Sequence, residues 1–567
     1  MKQLPRDIKS LCMPEAKLPQ RRVLQLDPRD NALVALTDLR QGQTVNFAGS
    51  DYQLLSDVPA KHKFVTKDLP AGGEVIMYGV LVGRTSEPLR RGGLLSTRNL
   101  RHDAAPFHEP DRSAQWSPPD VSRWRGRTFL GYPRAEGQVG TRNYWIVLPL
   151  VFCENRNLSV LKQAFEEELG FAAPQIYRRQ VAEMVRLFRE GRSEELSSLS
   201  RAENKPPSST ARVFRNVDGI KFLLHERGCG GTREDAANLC ALLAGYIHHP
   251  NIAGATVLSL GCQHSQVSML QDEINRRDGN FRKPLLIFEQ QKSASEASMM
   301  AQAIRETFLG LVEADKAERR PSSLNHLCVG LKCGGSDGFS GISANPAIGH
   351  VADILAVLGG RGILSEFPEL CGVEQDLINR CVSASTSQRF MHLMTDYAAR
   401  AKAVLASFEM NPSPGNIRDG LLTDAMKSAG AAKKGGASPV TGVLDYPEYS
   451  SQPGLNLLCT PGNDVECVTA QVGAGANLVL FTTGLGTPTG NPIAPVMKLS
   501  TNSDLARRMP DIIDIDTGPI ISGECSVEQM GEEIMERVIQ AASGELHTKA
   551  ELLAQDDFIP WKRGVSL

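Results

Sequence analysis

Short apolar runs that empty into glycine-rich polar loops recur along this chain, and apolar residues at helical spacing follow most of them. The run 327–331 predicts a buried strand. It leads through Lys332 into Cys333-Gly334-Gly335-Ser336-Asp337-Gly338, and a helix is predicted over 348–358. The run 144–153 ends at Cys153. Residues 222–225 lead to Gly228-Cys229-Gly230-Gly231 and a helix over 234–247. Residues 255–260 lead to Gly261-Cys262, and 362–364 lead to Ser365-Glu366. Strands alternating with helices predict a parallel sheet, whose carboxyl ends share one edge where ligands bind. Cys153, His225, Cys229, Cys262, Cys333 and Glu366 are therefore expected to converge. The competing reading is plainer: a cysteine at a strand end is often a small buried hydrophobe, and serine and aspartate cap tight turns.

The pattern differs at the two ends. Between 23 and 100 the apolar runs are shorter (32–36, 62–65 and 74–79) and are separated by turns at Gly42, Asp57-Val58-Pro59 and Leu69-Pro70-Ala71-Gly72-Gly73, which predicts a small all-β module. Residues 1–22 read as an extension. Residues 101–128, rich in Arg, Pro and His, read as a linker wrapping the surface. An α/β core with a parallel sheet is expected over 129–410. A C-terminal α/β unit is expected over 411–567, starting at Asn411-Pro412-Ser413-Pro414-Gly415-Asn416. Its strand 476–483 runs into Gly484-Leu485-Gly486-Thr487-Pro488, a loop able to cradle an anion. That loop is neither a Walker A motif nor a GxGxxG opening a helix, so no NAD is expected.

Composition narrows the function classes. The net charge of -2 over 567 residues leaves no basic field for nucleic acid or an anionic membrane. No apolar run approaches the roughly 18 residues of a membrane span. The first residues lack the apolar core of a secretory signal, and a cytoplasmic chain is expected. The 12 cysteines include no CxxC pair, against a zinc ribbon. Oligomeric state is not written in the pattern; a homo-oligomer is carried only as a default.

Several stretches together resemble the altronate/galactarate dehydratase family of sugar-acid hydro-lyases. They are His62-Lys63-Phe64, Gly137-Gln138-Val139-Gly140-Thr141-Arg142-Asn143, Gly261-Cys262, Cys333-Gly334-Gly335-Ser336-Asp337-Gly338 through Asn345-Pro346, residues 411–416 and Thr483-Gly484-Leu485-Gly486-Thr487-Pro488. Residues 411–416 and 453–458 are more similar to the altronate branch. The resemblance implies an N-terminal SAF-type β module, an α/β core and a C-terminal α/β unit. It also implies a divalent metal, Fe(II) or Mn(II), with a sugar acid as the small-molecule substrate. The chain departs from the family at Cys262-Gln263-His264-Ser265 and at Lys332, and 193–210 reads as an insertion.

Dehydration of an aldonate removes the C2 proton and the C3 hydroxyl. The proton is hard to take beside an anionic carboxylate, so a Lewis acid and a positioned acid and base are required. His62 and His225 are the expected acid and base, with Lys63 next for the base. Cys229, Cys262, Cys333 and Glu366 are the expected metal ligands. Arg142, Asn143, Ser336, Asp337, Asn345, Asn416, Asn463, Asp464 and Thr487 suit the substrate's hydroxyls and carboxylate. Three strand-end thiolates holding an iron–sulfur cluster form the alternative cofactor. Rival functions are elimination of sulfite from a sulfonated hydroxy acid and non-enzymatic binding of a sugar acid.

Overall fold

The computed structural model describes residues 21–111, 115–172, 176–199 and 212–567. Residues 1–20 and most of the 193–210 segment therefore lie outside the described residues. No helix among the described residues is long and apolar enough to cross a membrane.

The N-terminal module is built of small antiparallel sheets, as its short runs predict. Val23–Leu24, Ala32–Ala35 and Lys63–Val65 form one; Glu74–Met77, Val80–Thr85 and Leu100–Arg101 form another. Val34, Val65, Val75 and Met77 share a buried cluster with Phe339, Ile342, Ala425 and Met426. This apolar contact seats the module on the loop that follows Cys333. It thereby brings Lys61, His62 and Lys63 to the edge of the core.

Two parallel sheets follow. A four-stranded sheet has the order Gly219–Phe222, Tyr144–Pro149, Ile252–Ser259 and Leu285–Glu289. Tyr144–Pro149 is buried at every position, which explains its unbroken apolar pattern. A seven-stranded sheet has the order Val440–Leu444, Gly454–Leu458, Arg361–Leu364, Cys328–Cys333, Leu478–Thr483, Val496–Ser500 and Ile515–Asp516. The sheets are joined by close helix packing: Gly245 in Arg233–His248 lies so near Gly473 that a Cβ there would come within 2.3 Å of the Gly473 carbonyl oxygen.

The strand order fixes where a ligand site belongs. From Cys333 the chain crosses through helix Ala344–Val357 to Arg361–Leu364 on one side. From Thr483 it crosses to Val496–Ser500 on the other. The two neighbouring strands thus send their loops in opposite directions, which opens a crevice at their carboxyl ends.

Three expectations need correcting. The chain has two parallel sheets and not one, so the strand-end residues divide between two edges. The seven-stranded sheet takes strands from both sides of residue 410, so no sheet boundary falls there. The 101–128 stretch is not purely a surface linker: Trp124 is only 1% exposed and packs with Val121 and Phe129 in the main core.

Candidate active site

Cys333 ends the central strand of the seven-stranded sheet, and every residue of Cys328–Cys333 is buried. Around its thiol lies a dense, dry charge network. Lys434 Nζ donates to Cys333 Sγ at 2.8 Å and to Glu366 Oε2 at 2.7 Å. Lys332 pairs with the other oxygen of Glu366 and with Asp464 at 2.8 Å. Lys427 pairs with Glu369 at 2.8 Å. Cys333 Sγ also lies 3.5 Å from Glu369 Oε2. Glu366 reaches its place from a left-handed backbone, φ 69°, a costly conformation for glutamate that clusters at functional sites.

Burial sets the electrostatics. It pushes the Cys333 thiol up to about 11, against the pull of Lys434. Burial and then Glu369 raise the Glu366 carboxyl, while ammonium groups on both its oxygens oppose the shift. Glu369 goes the other way: burial would raise it, but Lys427, Lys434 and Lys332 together hold it down at about 2.

The donor set fits a cation. Single ligand atoms of Cys333, Glu366 and Glu369 all lie within 4.8 Å of one another, and all three residues are buried. A thiolate with two carboxylates suits Fe(II), Mn(II) or Zn(II). Lys434 already bonds two of these residues, so a bound cation would share them with its ammonium.

The β module supplies the second half of the site. Lys61 Nζ bridges Asp337 at 3.0 Å and Asp419 at 2.7 Å. His62 Nε2 lies 3.0 Å from the Arg418 carbonyl oxygen. Lys63 is buried and donates to the Gly420 carbonyl at 2.5 Å. Burial brings its ammonium down from 10.5 to about 7, with Asp337 opposing the shift. A buried lysine that gives up its proton near neutrality has the acidity of a general base.

The other expected residues separate clearly. Asp337 accepts from Thr501 Oγ1 at 3.0 Å, and Gly484 presses so close that a Cβ there would fall within 2.3 Å of Asp337 Cγ. Asn345 accepts from Thr482 Oγ1 at 2.6 Å, tying the two loops of the crevice together. Asn416 donates to the Ser336 carbonyl at 2.7 Å, and Thr487 lies against Gly335. Asn463 caps helix Asp464–Gly473, which aims Asp464 at Lys332. These residues surround the crevice. Arg142 and Asn143 do not. They precede their strand and so lie at its amino end. Arg142 is committed to Glu551 at 2.7 Å, and Asn143 to the Asn216 and Ala314 carbonyls.

His225 is buried with both ring nitrogens taken by backbone: Nε2 faces the Pro149 carbonyl at 2.9 Å, and Nδ1 accepts from Arg227 N at 3.1 Å. Burial lowers it to about 4, so it is a neutral ring locked in place. Cys229 and Cys262 are exposed at the four-stranded sheet and take no part in the Cys333 group. Sequence reasoning missed Glu369, Lys427, Lys434, Lys61 and Asp419. Glu369 left a usable signal, a second carboxylate three residues after Glu366 in one loop. Lys434 left little, sitting in an alanine- and glycine-rich stretch.

Three family models match successive parts of the chain: the altronate/galactarate dehydratase SAF domain over 21–103, the D-galactarate dehydratase/altronate hydrolase second domain over 131–315, and the D-galactarate/altronate dehydratase C-terminal domain over 324–566. The chain is 32% identical to altronate dehydratase of Escherichia coli, over 92% of this chain and 95% of that protein. It is 28% identical to galactarate dehydratase (L-threo-forming) of the same organism, over 88% of each. It is 30% identical to the (2R)-sulfolactate sulfo-lyase subunit beta of Chromohalobacter salexigens, over 77% of this chain and 97% of that one. Site, fold and likeness agree: the chain belongs to the altronate/galactarate dehydratase family and is closer to the altronate dehydratases.

Proposed function

We propose that this protein dehydrates a sugar acid, D-altronate first among candidates, to 2-dehydro-3-deoxy-D-gluconate and water. The observation that carries the reading is the buried Cys333, Glu366 and Glu369 group at the crevice; the β module adds a buried Lys63, held on the Gly420 carbonyl within the field of Asp337. Cys333, Glu366 and Glu369 would hold the metal, Fe(II) or Mn(II). Bound there, the ion would supply the Lewis acidity that stabilises charge developing on the substrate carboxylate and 2-hydroxyl.

The chain's own residues do the rest. Lys63, neutral above about 7, takes the C2 proton. The Lys61 ammonium, held by Asp337 and Asp419, offers a proton to the departing C3 hydroxyl, with His62 beside it as the second donor. Ser336, Asp464 and Thr487 meet the substrate's hydroxyls. Asp337, Asn345, Asn416 and Asn463 hold the loops that present them. The same reading places the protein in the cytoplasm. An iron–sulfur cluster, the alternative cofactor, would draw on a different set of thiols at the four-stranded sheet.

The likeness to a sulfo-lyase subunit supports one rival, since loss of sulfite from C3 begins with the same proton abstraction. Metal-stripped protein, assayed anaerobically with Fe(II), Mn(II), Zn(II) or no metal, separates the two. D-altronate, galactarate and (2R)-sulfolactate are the substrates to offer. A 2-keto-3-deoxy acid from D-altronate, formed only with Fe(II) or Mn(II), is expected. Sulfite from sulfolactate, or no product with any metal, contradicts the reading.

A further inference from the structure

A cavity of about 370 Å³ lies at the carboxyl edge of the four-stranded sheet, and no residue placed in the dehydration scheme lines it. Its walls come from parts of the chain that are distant in sequence. The loop after strand Gly219–Phe222 contributes Arg227, Gly230 and Gly231; the loop after Ile252–Ser259 contributes His264; the segment 560–567 contributes Trp561 and Lys562. Carboxyl ends of parallel strands are where α/β sheets bind ligands, and the volume suits a small molecule.

The walls are fixed in place. Arg563 N and Gly564 N both donate to Asp235 Oδ1 at 3.0 Å, and Leu567 N donates to the Gly230 carbonyl at 3.0 Å. Trp561 stacks on Tyr397 with 5.7 Å between ring centroids. These contacts hold the segment 560–567 against the sheet's loops.

Two cations line this space without a counter-charge. Among the described residues neither Arg227 nor Lys562 forms an ion pair. Both bond only to neutral oxygens: Arg227 Nε donates to the Pro560 carbonyl at 3.4 Å, and Lys562 Nζ to the Ser566 hydroxyl at 2.6 Å. Arg563, one residue on, is by contrast paired with Asp445. The acids at the wall leave the two cations free. Asp235 is taken up by Thr232 N and Oγ1 and by the Arg563 and Gly564 N–H groups. Glu226 is exposed and pairs with neither cation. Among the described residues the Gly230 and Gly231 N–H groups also lack a hydrogen-bond partner. Gly230 is left-handed, φ 69°, and successive N–H groups in such a turn form a concavity for an anion.

We propose that this cavity is a second ligand site, which takes a small oxyanion between Arg227 and Lys562. The chemistry recognised is a carboxylate or phosphate group on a small molecule. Arg227 supplies a planar fork of donors and Lys562 a point charge. Because Lys562 belongs to the segment 560–567 and Arg227 to the sheet's loop, the anion ties the two together.

Isothermal titration calorimetry of the full chain tests this, at about 0.15 M salt to screen exposed charges. Inorganic phosphate is the probe in one arm and malate in the other. Saturable binding of one of them by the wild-type chain is expected, and the tighter of the two assigns the ligand as a phosphate or a carboxylate. R227Q and K562M should each weaken that binding about tenfold or more, as loss of a charge-assisted hydrogen bond does. R227K, which keeps the charge, should retain more of it than R227Q. C333S should bind as wild type, because the anion does not sit in the Cys333 crevice. Absence of saturable binding of both anions to the wild-type chain overturns the proposal. Wild-type affinity in either R227Q or K562M, or loss of binding in C333S, overturns it equally.

Discussion

Replacing Lys63 by methionine is expected to lower kcat by about 10²–10⁴-fold, the usual contribution of a positioned general base. The substitution removes the amine and keeps most of the buried hydrocarbon. The wild-type pH profile provides the second readout. Lys63 titrates at about 7, so kcat/KM should rise with pH through an acid limb centred there, because the neutral amine is the active form. The sign for stability follows from the same shift. Between about 7 and the ordinary 10.5 the unfolded chain binds a proton at this lysine that the folded chain does not. This group therefore makes stability rise with pH across that window, by about 1.4 kcal/mol per unit. K63M should flatten that slope and be no less stable than wild type at pH 7. A variant with wild-type kcat, or a wild-type profile with no limb near neutrality, removes Lys63 from the mechanism.

Substituting Glu366 by glutamine should be the most damaging single change to the fold. It leaves the Lys332 and Lys434 ammonium groups buried beside each other with their shared counter-charge gone. Removing one partner of a buried ion pair costs about 3–5 kcal/mol, because the remaining charge is left uncompensated. E366Q should therefore lower the free energy of unfolding by that amount, read from denaturant titration. Adding K434M should restore part of the loss, since it removes one of the stranded charges. A double-mutant cycle measures that coupling. Additive losses in the cycle would show that the two side chains do not depend on each other.

The site was partly legible because its central feature is local. A buried strand that stops at Cys333 and opens into Gly334-Gly335 is written in one stretch, as is the crevice position its strand–loop–helix order implies. The pairing of strands is not local. Apolar runs ending at Cys153, Cys229 and Cys333 look alike along the chain, and nothing in their periodicity says that the first two join one sheet and the third another. His225 stands out by residue type, but the bonds to Pro149 and Arg227 that lock its ring depend on strand register. Lys434 escaped notice because a buried lysine is rare and because its partners, Cys333 and Glu366, lie 101 and 68 residues away in sequence. Lys63 was visible as a motif residue. Its acidity was not, because that comes from burial of the module's face against the core.

The central claim is that the C2 proton leaves to a base while the C3 hydroxyl departs. Turnover of D-altronate by the Fe(II)-loaded enzyme in D₂O, followed by proton and carbon NMR, tests it most directly. The account predicts a 2-keto-3-deoxy acid carrying a single solvent deuteron at C3, because the enol left by dehydration is protonated there from solvent. Recovery of D-altronate unchanged, or exchange at C2 without any 3-deoxy product, would contradict it.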